Sequence, residues 1–104
     1  MATIGYVTKK QDRFQGVLKT LNVNQPISII PNTAKAHANQ PDYLVYSCGV
    51  SFGAGWTKRG KVSGNPYISL RLVAPALGQR VYANLGRVPG DTEDAYAIIW
   101  NPPQ

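Results

Sequence analysis

Apolar and polar residues alternate along most of this chain, and the alternation is repeatedly cut by glycine, proline or polar clusters. The pattern is cleanest in Tyr67-Ile68-Ser69-Leu70-Arg71-Leu72-Val73, where Ile68, Leu70 and Leu72 share one face and Tyr67, Ser69 and Arg71 share the other. Arg80-Val81-Tyr82-Ala83-Asn84-Leu85 repeats it, with Val81, Ala83 and Leu85 facing in and Arg80, Tyr82 and Asn84 facing out. No window carries a clean helical period, and ten glycines and eight prolines are spread along the chain.

The rest of the chain divides in the same way. A first strand over Ile4 to Lys9 turns at Lys10-Gln11-Asp12-Arg13 and returns over Phe14 to Asn22. Gly16 within that return marks a bulge or a close backbone approach. Ile27-Ser28-Ile29-Ile30, bounded by Pro26 and Pro31, reads as an edge strand or one with a sharp end. Residues 32–42 could hold a turn of helix capped by Asn32 or Thr33, but the segment is too short for a stable one and a surface loop is expected. Tyr43 to Ser47 and Val50 to Lys58 form a strand pair or one long strand broken near Cys48-Gly49, and Arg59 to Pro66 is a basic hairpin loop. Gly86 to Asp94 is a turn, Tyr96 to Trp100 the last strand, and the prolines of Asn101-Pro102-Pro103-Gln104 end pairing. The expectation is an all-β fold: one domain over 1–104, a small partly open barrel or sandwich of about six to seven mostly antiparallel strands, with little or no helix.

Composition narrows the chemistry. At 104 residues, 43% hydrophobic and 15% charged, the chain supports one modest core. A single cysteine, Cys48, excludes an internal disulfide and a thiolate-rich metal site; set amid apolar residues, it reads as core. The one histidine, His37, is expected to be exposed in its polar loop. No apolar run approaches the roughly 18 residues of a membrane span. The start lacks the features of a signal peptide, so a cytoplasmic protein without membrane or cofactor is expected. The net charge is +6, but Asp91, Glu93 and Asp94 crowd one turn; residues 1–90 hold eleven Lys/Arg against Asp12 and Asp42, a balance of +9. Such a field favours polyanions: nucleic acid, acidic protein faces or anionic lipid.

Pairing of the two clean strands would place Tyr67, Ser69, Arg71, Arg80, Tyr82 and Asn84 on one face, beside the loop Trp56-Thr57-Lys58-Arg59-Gly60-Lys61. Rings offer stacking platforms for unpaired bases and cations track phosphates, a combination suited to single strands. No recognition helix is available to enter a duplex groove. An outward Tyr beside an Arg is equally the mark of an ordinary cross-strand pair. Gly55-Trp56-Thr57-Lys58-Arg59-Gly60-Lys61 matches the glycine-lysine core of a phosphate-cradling loop, but Val62 stands where a magnesium-binding hydroxyl belongs and Asn65-Pro66 forbids the following helix. The acids at 91, 93 and 94 read as a solvated turn, and Tyr96 and Trp100 as core anchors. No catalytic constellation emerges, and no enzyme activity is expected.

Several stretches carry a family resemblance: Met1-Ala2-Thr3-Ile4-Gly5, Phe14-Gln15-Gly16 with Leu18-Lys19-Thr20-Leu21, Pro41-Asp42-Tyr43, Gly53-Ala54-Gly55-Trp56, Tyr67-Ile68-Ser69-Leu70, Tyr82-Ala83-Asn84-Leu85 and Ile98-Ile99-Trp100. In this order they resemble the bacterial family called domain of unknown function 736. Where the family pattern has an acidic pair after the Tyr-led strand and an acid before the Gly-Ala-x-Trp, this chain has Val73-Ala74 and Ser51-Phe52 and is more basic. The resemblance implies a small β-rich protein, often encoded on plasmids and other mobile elements, and brings no assigned activity.

The leading expectation is a non-enzymatic basic barrel binding nucleic acid, single-stranded DNA above all. Trp56, Tyr67 and Tyr82 would stack bases, and Lys58, Arg59, Lys61, Arg71 and Arg80 would meet phosphates. The alternative is a protein-interaction module, such as a mobile-element inhibitor of a host defence complex, using the same rings and arginines as interface anchors. A homodimer paired through exposed strand edges is the third.

Overall fold

The fold is known from a computed structural model, which describes residues 3–21, 23–60, 64, 66–73, 80–88 and 94–101. Eight strands follow one another: β1 (Thr3–Lys10), β2 (Arg13–Lys19), β3 (Asn24–Pro31), β4 (Tyr43–Ser47), β5 (Val50–Arg59), β6 (Pro66–Leu72), β7 (Val81–Arg87) and β8 (Ala95–Trp100). Each pairs antiparallel with its sequence neighbour, and β1 also pairs with β8, so the meander closes into a barrel. The fold is all-β, as expected, with eight strands rather than six or seven and closed rather than partly open. Closure satisfies the two edges an open sheet would expose, leaving the start of β3 paired on one side only.

Period-two patterning sets what lies inside. Val7, Phe14, Leu18, Ile27, Ile29, Val45, Leu70, Leu72, Ala83, Leu85 and Ile98 fill the interior, and Val23 joins them from the β2–β3 loop. Among the described residues no polar or charged residue is buried. Outward positions carry Gln15, Ser28, Arg71, Tyr82 and Asn84. Apolar inside and polar outside is the reverse of a membrane-spanning barrel, which turns its apolar band outward.

β3 is not an edge. Its first half pairs only with β2, through Val17↔Pro26 and its neighbours, and β4 joins from Ser28 onward. Pro26 therefore sits where no ladder donor is needed on its second side, and its carbonyl accepts the Ser47 hydroxyl at 2.6 Å. Gly16 marks a close approach rather than a bulge: a Cβ there would stand 1.9 Å from the Tyr6 carbonyl oxygen. The register shifts occur elsewhere, between Thr3 and Gly5 and between Val45 and Tyr46.

Cys48 is exposed, not core. With Gly49 it makes the two-residue β4–β5 turn, both at positive φ (53° and 80°), the twist that suits a tight hairpin. Residues 32–42 contain no helix and His37 is exposed. Their loop is held by side chains instead: Asn32 Oδ1 accepts from the Ala34 amide at 3.1 Å and Asn32 Nδ2 donates to the Pro41 carbonyl at 3.0 Å. Gln40 Oε1 accepts the Ala36 and His37 amides. Tyr96 is half-buried and meets Phe14 edge-on at 5.3 Å; Trp100 is also half-buried. The turn acids Asp91 and Glu93 lie outside the described residues.

Candidate nucleic-acid interface

The up-and-down path sorts the side chains by height. Turns after β1, β3, β5 and β7 share one end of the barrel, and those after β2, β4 and β6 the other. On the outer wall made by β5, β6 and β7, Lys58 pairs with Tyr67, Trp56 with Ser69 and Ala54 with Arg71. Across the next ladder Ser69 faces Asn84 and Arg71 faces Tyr82. These pairings stand Lys58, Trp56, Arg71 and Tyr82 on three adjacent strands, facing out.

Trp56, Arg71, Tyr82 and Arg80, the residue before β7, form a ladder of alternating ring and cation. The Arg71 guanidinium lies 5.0 Å from the centre of the Trp56 ring, a diagonal cross-strand contact. Arg71 stands directly opposite Tyr82, and Arg80 Nη1 lies 3.5 Å from the Tyr82 hydroxyl. Tyr82 is 40% exposed. Trp56 is less open: Arg71 covers it, and its indole N–H donates to the Asn39 carbonyl at 3.3 Å, so the 32–42 loop folds against the wall.

Tyr67 shares the wall, opposite Lys58, but is half-buried and borders a cavity at the barrel end. The Arg59 guanidinium donates to the Gly64 carbonyl at 3.1 Å, bracing the β5–β6 hairpin. Lys61 lies outside the described residues. That hairpin joins strand to strand, so the glycine-lysine match is no nucleotide-hydrolysing loop.

One acid, Asp42, reaches the backbone of this wall. β5, β6 and β7 contain no Asp or Glu. Asp42, at the start of β4, is engaged: its Oδ1 meets Lys35 Nζ at 2.5 Å and its Oδ2 accepts the Thr57 amide at 2.8 Å. The Lys35 hydrogen bond, with the Thr57 amide second, holds the Asp42 carboxyl below its usual range. Basic residues also occur on the opposite wall, where Lys10, Arg13 and Lys19 are exposed on β1 and β2. None of the eight strands contains an acid, so the β5–β7 wall is distinguished by its interleaved rings, not by cation number or by a lack of carboxylates.

Sequence reasoning missed the barrel end itself. There Lys9 and Arg87, at the last inward positions of their strands, join Phe14, Tyr43, Ile68, Leu85 and Tyr96 around a cavity of about 520 Å³. The alternation of Lys9 with Val7 was a usable signal, but only the closed ring brings β1 beside β8 and β7.

These features define a class: small closed meander barrels of eight antiparallel strands with an apolar core and a basic, ring-bearing outer wall. The chain belongs to the family described as protein of unknown function (DUF736), whose sequence model matches residues 3–103. No curated protein and no solved structure matches the chain.

Proposed function

We propose that this barrel binds single-stranded nucleic acid, DNA in particular, along its β5–β7 wall. The observation that carries the reading is the ladder Trp56, Arg71, Tyr82 and Arg80, with Lys58 below it. Bases would stack on Tyr82 and on the open part of Trp56 while the cations meet phosphates. Every base has a π-face, so little sequence preference is expected. Service to a mobile genetic element in the cytoplasm is part of the same proposal, resting on the family resemblance.

The test is fluorescence anisotropy of a labelled oligothymidylate, run beside a duplex of equal length. Saturable binding to the single strand, weaker binding to the duplex, and loss with Tyr82→Ala support the proposal. No anisotropy change at micromolar protein and low salt would end it.

One observation favours protein docking as a second reading. On the diametrically opposite wall Tyr6 (61% exposed), Val17 (42% exposed) and exposed Pro26 lie in register across β1, β2 and β3. Such an apolar stripe suits a protein partner, a host defence complex included. A partner retained from host lysate after nuclease treatment, and lost with Tyr6→Ser, favours this reading over the first.

A further inference from the structure

The geometry points to a second site at the barrel end: we propose that the mouth cavity takes a small amphipathic organic anion, an aromatic or other apolar body bearing one carboxylate or phosphate. An eight-stranded barrel has an interior just wide enough to be filled by side chains or to hold one small ligand. Here it does both. Most of the interior is packed, while the end lined by Phe14, Tyr43, Ile68, Leu85 and Tyr96 keeps about 520 Å³. That size falls among small-molecule pockets, and the lining mixes rings and aliphatics with the polar groups of Lys9, Thr57, Arg87 and the tyrosines.

The floor and walls are preset. Phe14 meets Tyr43 at 6.0 Å and Tyr96 at 5.3 Å, both edge-to-face, so three rings are locked by one another around the opening. Burial, the largest cause, pushes the Tyr43 phenol upward, and the negative charge of Asp42 adds to it. Tyr43 therefore stays a neutral hydrogen-bond donor at pH 7.

The rim supplies the charge. Lys9 and Arg87 stand on β1 and β7, the two strands flanking β8, staggered by two residues and so about 12 Å apart across the sheet. Lys9 has no carboxylate partner among the described residues; the same rim carries Asp42, paired with Lys35, and Asp12, whose charge reaches Tyr43. Lys10, the next residue, belongs to the outer wall because side chains alternate. A body placed on the apolar floor thus carries its anionic group to the cationic rim, whereas a sugar would be set against Ile68 and Leu85.

The test is an NMR titration of the full chain with 1-naphthoate, with neutral naphthalene-1-methanol as the matched probe. Support is saturable shifts clustered on Phe14, Tyr43, Ile68, Leu85 and Tyr96, and binding of the alcohol weaker by about tenfold or more, as expected for a lost charge-assisted contact. Lys9→Met should weaken naphthoate by a similar factor, while Lys10→Met, with the same charge change, should alter it less than about twofold. The spectra themselves report whether each variant is folded. Absence of saturation at millimolar naphthoate, shifts outside the mouth, equal binding of the alcohol, or equal effects of the two lysine variants would each overturn the site. Oligothymidylate addresses the outer wall, so failure of either proposal leaves the other standing.

Discussion

Replacing Gly16 by alanine tests whether the close approach of β1 and β2 demands glycine there. The added Cβ would lie 1.9 Å from the Tyr6 carbonyl oxygen and 2.7 Å from the Val7 Cα, both backbone atoms of the paired strand that no rotamer change can move. Ordinary contact begins near 3.4 Å, so β1 and β2 must part by about 1.5 Å against a normal spacing of about 4.8 Å. That opening stretches two neighbouring ladder hydrogen bonds, each contributing about 0.5–1.5 kcal/mol, and adds overpacking strain of about 1–3 kcal/mol. The gain from stiffening the unfolded chain is below about 1 kcal/mol, so a net loss of about 3 kcal/mol is expected. For a domain of this size the loss lowers Tm by about 12–24 °C. Gly49→Ala is the matched control. Gly49 has open space around it and φ of +80°, so alanine there meets only left-handed strain, about 1–2 kcal/mol. Urea unfolding followed by circular dichroism measures both. If Gly16→Ala unfolds within about 0.5 kcal/mol of the parent, or costs less than Gly49→Ala, the close-approach argument is wrong.

Ile29 is fully buried where β3 pairs with both neighbours, so Ile29→Ala is expected to cost about 2–5 kcal/mol in the same unfolding assay. An edge strand would tolerate it better. Cys48 on its exposed turn should react with a disulfide reagent within minutes in native buffer, and a thiol silent until urea is added would return it to the core. Asp42 has a folded pKa below its ordinary 3.8, so the stability it adds is present above that value and lost as pH falls through the lower folded one. The pair is partly exposed, so the contribution is under about 1 kcal/mol. Asp42→Asn should therefore flatten the acid limb of a stability-against-pH curve and leave neutral pH little changed; an unaltered limb argues against the Lys35 contact.

Period-two patterning made the walls readable. Ile68, Leu70 and Leu72, and Val81, Ala83 and Leu85, point inward as the alternation implies, which is why Arg71 and Tyr82 meet on the outside. Closure was not readable, because β1–β8 pairing joins the two ends of the chain and leaves no local mark. The same gap hid the mouth cavity, whose Lys9 and Arg87 are far apart in sequence. Pro26 and Pro31 suggested an edge because a proline cannot donate, but β3 escapes that rule through the stagger of β4. Cys48 misled because apolar neighbours flank it on both sides, while the turn geometry depends on the glycine that follows. Trp56 was expected in a loop beside the face and instead stands on β5, where its contacts with Arg71 and Asn39 depend on cross-strand register and on a loop held by its own polar side chains.

The salt dependence of oligothymidylate binding bears most directly on the wall. Lys58, Arg71 and Arg80 meeting three phosphates predict a log–log slope of about −2, since each single-strand contact contributes about −0.7. Between 50 and 200 mM salt that slope weakens binding about 20-fold. Lys58→Gln combined with Arg71→Gln should bring the slope to about −0.7, and a slope unmoved by the two substitutions would contradict the interface.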